Sequence, residues 1–427
     1  MFCYQCEQAA GGTGCVKTGT CGKDENIQSL QDILLYGLKG VAAYAYHARE
    51  LGAKNEEVDA FMHEGLFSTL TNVNFDLNKH IELVLKCGQM NLKIMEVLDK
   101  AHTDKFGNPV PVQVETGTRH GPGILVTGHD LLDLYELLKQ TEGTGINIYT
   151  HGEMLPAHGY PELKKFKHLV GNYGGAWQDQ KKEFNAFRGA ILVTTNCVMT
   201  PPAHSYLDRL FTCGIAAVEG AVHLKNRDFS ALIEKAKSLP PLPDAPGIKI
   251  TTGFHHTAIL GLADKIIAAV KSGKIKHFYL IGGCDGAKTG RNYYTEFAEK
   301  VPGDCVILTL ACGKYRFNKL DFGQIDGIPR LIDIGQCNNA YSAIQVAVAL
   351  SKAFNCSVNE LPLSFILSWF EQKAVAILLT LLSLNIKGMR IGPTPPAFIT
   401  PGVFKVLQDK FDLKLITTPD KDLADIK

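Results

Sequence analysis

The chain has 427 residues, and its 44 basic and 43 acidic side chains leave a formal charge of +1 with no basic block, so neither a nucleic acid nor an anionic membrane is favoured as partner. A length prior of roughly 100–200 residues per domain predicts about three domains. Twelve cysteines, behind a start (MFCYQCEQAA) without the basic and apolar regions of a secretory signal, predict metal-binding or catalytic thiols in the cytoplasm rather than disulfides.

The first 25 residues are rich in Gly and Cys and lack apolar periodicity, which predicts a loop anchored by something other than a core. Within it Cys3, Cys6, Cys15 and Cys21 follow the spacing C-x2-C-x8-C-x5-C, a density suited to four thiolates on an iron–sulfur cluster or to a closed zinc site. A zinc site often uses two C-x2-C knuckles and this loop has one, so with further cysteines downstream the iron–sulfur reading leads. From about residue 26 to residue 100 the pattern is helical. Leu30, Ile33, Leu34, Leu38 and Val41 form one stripe, Leu77, Ile81, Val84, Met95 and Leu98 another, and a helix from Glu56 to about Leu70 completes a three-helix bundle. Asn55 and Asp76 are N-cap candidates, and Gly52 suits the end of the first helix. Residues 102–123 turn polar, with several Pro and Gly, and read as a linker.

Beyond Gly123, apolar runs alternate with helical stretches such as residues 129–139 and 258–270, the pattern of βαβ units in a parallel sheet. Six runs each end two or three residues before a candidate ligand: GILVTGH at His129, NIYTHGE at Glu153, ILVTTNC at Cys197, FYLIGGC at Cys284, VILTLAC at Cys312 and RLIDIGQC at Cys337. Open α/β sheets bind ligands outside the carboxyl ends of their strands, so these side chains can converge on one inorganic site. The Pro-rich SLPPLPDAPG interrupts the series and marks a boundary. The longest apolar run, residues 374–384, is too short for a membrane span and reads as a buried helix. The expected fold is therefore α/β, with an N-terminal iron–sulfur loop and three-helix bundle (residues 1–104) followed by two Rossmann-like parallel-sheet domains (residues 105–256 and 257–427).

A core cysteine belongs inside a strand or on a helix stripe, whereas Cys197, Cys284, Cys312 and Cys337 follow strands and sit beside Gly or Asn, which favours the ligand reading. Cys87, Cys213, Cys305 and Cys356 lack that placement and are assigned to packing. A lone His or Glu at a loop is more often a cap or a hydrogen-bond partner, but His129 and Glu153 share the geometry of the cysteines. Imidazole and carboxylate beside thiolates give iron sites that accept small molecules containing N or O. Glu371 and Lys373 precede the buried run. One reading is a helix-start acid with a Lys reaching for solvent; the favoured one is a metal ligand with a nearby proton donor, which requires the helix to begin between or after them, because residues i and i+2 point about 200° apart on a helix. GGCDGAKT misses the phosphate-loop pattern, since Ala287 replaces the Gly required before Lys288 and Thr289. HGE at 151–153 lacks the P-C-x-x-C of zinc deaminases.

MFCYQCEQ, VTGHDL, HGEMLPAHGYPEL, TTNCVMTP, GGCDGAKTGR, ACGKYRFN, GQCNNAYSA, SWFEQKAVAILLTLLSL and GPTPPAF together resemble segments of the hybrid-cluster proteins, also called prismane proteins or hydroxylamine reductases, over nearly the whole chain. The resemblance implies a [4Fe-4S] cluster on Cys3, Cys6, Cys15 and Cys21 that relays electrons from an external donor. It implies a hybrid [4Fe-2S-2O]-type cluster held by His129, Glu153, Cys197, Cys284, Cys312, Cys337 and Glu371, with Cys284 able to carry a persulfide and Lys373 nearby. It implies reduction of hydroxylamine to ammonia, or of nitric oxide to nitrous oxide, with Lys373, Glu371 and Glu153 as catalytic residues. A carbon monoxide dehydrogenase-like enzyme and a nitric oxide sensor or S-nitrosylating protein are the alternatives. Longer members carry a second helical bundle that this chain lacks, and the surface so uncovered predicts a homodimer.

Overall fold

The computed structural model describes residues 1–203, 205–286 and 290–426. Ala287, Lys288 and Thr289, on which the phosphate-loop comparison turned, lie outside them. The chain divides into two compact units, one made of Met1–Ala101, Gly283–Asp285 and Asn355–Lys427, the other of His102–Gly282 and Gly286–Phe354.

In the first unit, the loop of the first four cysteines leads into α1 (Glu25–Glu50), followed by α2 (Glu56–Ser68) and α3 (Leu77–Phe106). Asn55 accepts from the Val58 N–H at 3.1 Å, and Asp76 from the N–H groups of Asn78 and Lys79 at 2.8 and 3.2 Å, so both expected caps hold orphan donors of a first helical turn. Gly52, at φ +82°, takes the left-handed conformation just past α1. The apolar run at 374–384 is indeed a buried helix, Gln372–Ser383, and it packs against α1 as a fourth member of the helical layer. That approach is close enough to dictate sequence. A Cβ at Gly40 would stand 2.6 Å from Ala376 Cβ, and one at Gly88 on α3 would stand 2.0 Å from the Leu379 carbonyl oxygen. Thr380 closes the same contact, its Oγ1 lying 2.9 Å from Gly88 O and accepting from Asn91 Nδ2 at 3.0 Å. Further along, the Pro401–Phe411 helix is capped by Thr400, and Ser29 on α1 donates to Phe398 O at 2.5 Å. Strands Leu363–Ser368, Arg390–Gly392 and Lys414–Leu415 pair in parallel, in that order.

The second unit corrects the linker expected at 102–123. Helix α3 continues to Phe106, and Val112–Glu115 is a strand, β1. It is followed by β2 (Gly123–Thr127), β3 (Asn147–His151), β4 (Leu169–Asn172), β5 (Ala190–Val193), β6 (Leu210–Thr212), β7 (Val222–His223) and β8 (Lys249–Thr252). β1 pairs antiparallel with β8, and bridges Thr118–Ala245 and Gly121–Leu242 hold the Pro-rich stretch against it. A four-residue strand among Pro and Gly is too short to show a period, and the partner that stabilises it lies more than a hundred positions away. β2 to β7 form a sheet in the order β4-β3-β2-β5-β6-β7 with every pairing parallel. The order reverses at β2, and the crevice at such a reversal is where open α/β sheets bind ligands. Then come β9 (His277–Gly283), β10 (Cys305–Thr309), the short hairpin β11 (Gln324–Ile325) and β12 (Ile328–Pro329), and β13 (Leu331–Asp333), of which β13-β10-β9 pair in parallel.

Helix α4 (Leu131–Thr141) starts two residues later than the expected 129, because Asp130 caps it, accepting from the Leu132 and Asp133 N–H groups at 2.8 and 3.0 Å. This releases His129 into the loop. The stretch expected to be helical over 258–270 is two helices, His256–Leu260 and Ala263–Lys271, parted at Gly261. Among the described residues no helix is long and apolar enough to cross a membrane.

Candidate metal centres

All six post-strand candidates stand within four residues of a strand end: His129 after β2, Glu153 after β3, Cys197 after β5, Cys284 after β9, Cys312 after β10 and Cys337 after β13. Three of them converge in the second unit. One ligand atom each from His129, Glu153 and Cys337 lies within 4.8 Å of the other two, and all three residues are buried.

The local hydrogen bonds fix how they point. Thr195 Oγ1 donates to Asn196 O at 3.0 Å and stands 2.9 Å from both the backbone N and Nδ1 of His129. These contacts hold the ring by its Nδ1 edge and turn Nε2 toward Glu153. That Nε2 stands 3.1 Å from Glu153 Oε2, and the same oxygen accepts from the Cys337 N–H at 2.8 Å. Imidazole nitrogen, carboxylate oxygen and thiol sulfur grouped in this way are donor types that metal sites use. The imidazole–carboxylate–thiol set therefore fits a metal of mixed hard and soft character. Gln336 ties the three loops together, its amide Nε2 donating to His129 O at 3.2 Å and Glu153 O at 2.8 Å. Gly128 is required at this turn: its φ is +119°, and a Cβ would stand 2.2 Å from Thr194 Oγ1.

Cys312 packs with Ala176 and Trp177, and Cys197, Met199 and Tyr315 rest on the same cluster. Gln180 holds the Cys197 segment, its side chain donating to Cys197 O at 2.6 Å and accepting from Met199 N at 3.1 Å. The residue before Cys312, Ala311, sits at φ +61°, ψ −163°, a backbone region essentially reserved for Gly, and such strain collects at functional sites. Beneath this loop Lys314 Nζ donates to Asp333 Oδ1 at 2.5 Å and to Gly335 O at 2.8 Å, with both side chains of the ion pair 1% exposed. Burial pushes the Asp333 carboxyl up against the pull of Lys314. His158, in the segment after Glu153, is driven down to about 4 by burial and is a neutral structural imidazole bonded to Thr150 Oγ1 at 3.0 Å.

Cys284, Glu371 and Lys373 belong to the first unit. Cys284 is buried between Gly283 and Asp285, both at positive φ, and the Asp285 N–H donates to Ser368 Oγ at 2.8 Å. The condition set for Glu371 and Lys373 is met, because the Gln372–Ser383 helix begins between them. Glu371 is its N-cap, with Oε2 accepting from Lys373 N at 3.1 Å and Oε1 lying 3.8 Å from the buried Lys373 Nζ.

The N-terminal loop closes by Cys3 and Cys15 exchanging backbone hydrogen bonds of 3.0 and 2.7 Å. Cys15 Sγ faces Thr20 Oγ1 and the Ala10 N–H, each at 3.5 Å, and the Thr20 hydrogen bond, followed by that from Ala10, holds the thiol below its ordinary range. Donors aimed at sulfur favour thiolate, the form that ligates iron. Three of the four cysteines assigned to packing show the opposite. Burial pushes Cys87 up to about 12 and Cys305 up to about 11, and Cys213, raised chiefly by burial, has its sulfur 3.2 Å from Asp133 Oδ2. Thr195, Gln336 and the Lys314–Asp333 pair escaped the sequence reading. Their one signal was polarity directly beside the proposed ligands, in TTNC, GQC and ACGK.

A family model described as Prismane/CO dehydrogenase family matches residues 1–83 and 76–424. The chain belongs to that family. It is 72% identical to a hydroxylamine reductase of Moorella thermoacetica over the whole of both chains. It is 49% identical to a hydroxylamine reductase of Geobacter sulfurreducens, covering 99% of this chain and 98% of that one in an alignment of 543 positions. Carbon monoxide dehydrogenase IV from Carboxydothermus hydrogenoformans shares the fold, with a TM-score of 0.81 at 16% identity, covering 100% of this chain and 91% of that one. The family marks an iron–sulfur oxidoreductase, as the N-terminal cysteines and the mixed triad lead one to expect.

Proposed function

We propose that the protein reduces hydroxylamine to ammonia and water, consuming two electrons and two protons, with nitric oxide as a second substrate reduced to nitrous oxide. The observation that carries this reading is the buried His129–Glu153–Cys337 set, three different donor types within 4.8 Å. The names of relatives at 72% and 49% identity support it.

His129, Glu153, Cys197, Cys312 and Cys337 would hold a hybrid iron–sulfur–oxygen cluster, with Cys284 and Glu371 as its remaining ligands and Cys284 able to carry a persulfide. Such a cluster supplies a Lewis acid for the nitrogen or oxygen of the substrate and a store of electrons. Lys373, buried and held beside Glu371, is the proton donor. Cys3, Cys6, Cys15 and Cys21 would hold a [4Fe-4S] cluster that passes electrons inward from an external donor.

The test is anaerobic purification, iron, sulfide and nickel analysis, EPR, and a viologen-coupled hydroxylamine assay. Two EPR-distinct iron–sulfur signals and steady turnover are expected. Stoichiometric nickel, or turnover no faster than that of free iron sulfide, would overturn the proposal.

We also propose a homodimer. The stretch from α2 to the start of α3 exposes Leu66, Phe67, Leu70, Val73, Phe75 and Leu77, with Phe67 64% and Leu70 53% accessible. The two pieces of the family match meet here, at residues 76–83, and alignment with the longer Geobacter relative extends to 543 positions against 427 residues. A segment that covers this patch in longer relatives would be replaced by a second copy of the chain. Light scattering at micromolar protein is expected to give twice the chain mass; a monomer refutes it.

A further inference from the structure

Lys23 is 0% exposed, one of the largest fully buried side chains in the protein, and it stands two residues after Cys21. Its backbone carbonyl accepts from the Gly19 N–H at 2.7 Å, which folds the residue back into the cysteine loop. Its ammonium donates to Gln31 Oε1 at 2.8 Å, a neutral acceptor, and Gln31 in turn donates to Leu70 O at 3.3 Å. The position is costly twice over. The ammonium has left water without a carboxylate in that hydrogen bond, and it sits just before the N-terminus of α1, where the helix dipole disfavours positive charge. The acid one position beyond Gln31, Asp32, feels the ammonium across space while its hydrogen bond goes to Gln28, so it offsets the charge only in part. Its Oδ1 accepts from Gln28 Nε2 at 2.8 Å, and burial raises its carboxyl to about 6. That partial offset leaves room for a further source of negative charge. Four cysteines within the preceding residues, with Cys15 close enough to feel Lys23, supply it once they are thiolates on iron.

We propose that Lys23 is the buried counter-cation of the N-terminal iron–sulfur cluster and holds its reduction potential up. The proposal rests on Cys3, Cys6, Cys15 and Cys21 binding that cluster. A tetrathiolate cluster is anionic and gains one further negative charge on reduction, so a fixed cation in a dry pocket stabilises the reduced state more than the oxidised one. Net charge near the cluster and solvent exposure are among the factors that set such potentials. Lys23 thereby makes the N-terminal cluster a better electron acceptor from an external donor.

The experiment is an EPR-monitored redox titration of the whole protein carrying Lys23→Met, with iron and sulfide counted in the same sample. The expected result is a full N-terminal cluster whose reduction equilibrium constant falls at least tenfold, a shift of 59 mV to more negative potential for one electron. Lys23→Arg, which keeps the charge, should restore most of it. Should Lys23→Met fail to fold, Asp32→Asn provides the second arm. At pH 8 it removes a negative charge that faces the same ammonium, and the potential should rise. A full cluster with an unmoved potential in Lys23→Met, or in Asp32→Asn when Lys23→Met does not fold, overturns the proposal. Parent protein without iron at the four cysteines would instead overturn the underlying assignment, and this proposal with it.

Discussion

Glu153→Gln is expected to lower hydroxylamine reduction by at least about 100-fold, since loss of even an outer partner of a metal ligand costs about 10–100-fold. The carboxylate has two duties. One oxygen takes the Cys337 N–H at 2.8 Å and faces His129 Nε2 at 3.1 Å, so it both orients a loop and supplies the negative charge between an imidazole and a thiol. An amide keeps the shape and loses the charge. The viologen-coupled assay and EPR read the outcome together: turnover should collapse and the signal assigned to the hybrid cluster should change, while the N-terminal signal persists because its four cysteines are untouched. Turnover within tenfold of the parent would remove Glu153 from the site.

Lys314→Met should destabilise the second unit by roughly 3–5 kcal/mol, the cost of leaving one member of a buried ion pair alone. Both side chains are 1% exposed, so Asp333 cannot turn to water, and without the ammonium it must bind a proton. Its carboxyl, already raised by burial, then rises further. The folded state holds that proton over a pH range where the unfolded chain has released it, so the loss deepens as pH rises above the ordinary carboxylate range, by up to about 1.4 kcal/mol per pH unit. Urea titrations at pH 5 and pH 8 measure both parts. Lys314→Met with Asp333→Leu should recover most of the stability by removing the orphaned charge. A single variant as stable as the double one would show that the pair carries little.

The post-strand positions of the six candidates were legible because a parallel sheet places loops of one kind at one end of its strands, so an apolar run followed by Cys, His or Glu carries its own geometry. The helix caps at Asn55 and Asp76 were legible for the same local reason. What escaped depends on partners distant in sequence. Lys314 and Asp333 are separated by 19 positions, and nothing before the adjacency of β10 and β13 says that they meet. β1 is four residues long and exists because β8 pairs with it. Gln336 carries no local sign of its role, because the carbonyls of His129 and Glu153 that its amide reaches lie 207 and 183 positions away. The late start of α4 could have been anticipated, since Asp130 stands directly before Leu131 and Leu132, an ordinary cap signal.

The Gln372–Ser383 helix reaches α1 and α3 across nearly the whole length of the polypeptide, through glycines that admit it at backbone distance. During synthesis the first hundred residues therefore leave the ribosome with an apolar face whose mate has not yet been translated. The amino-terminal helices must wait, exposed or chaperoned, until the carboxyl end arrives.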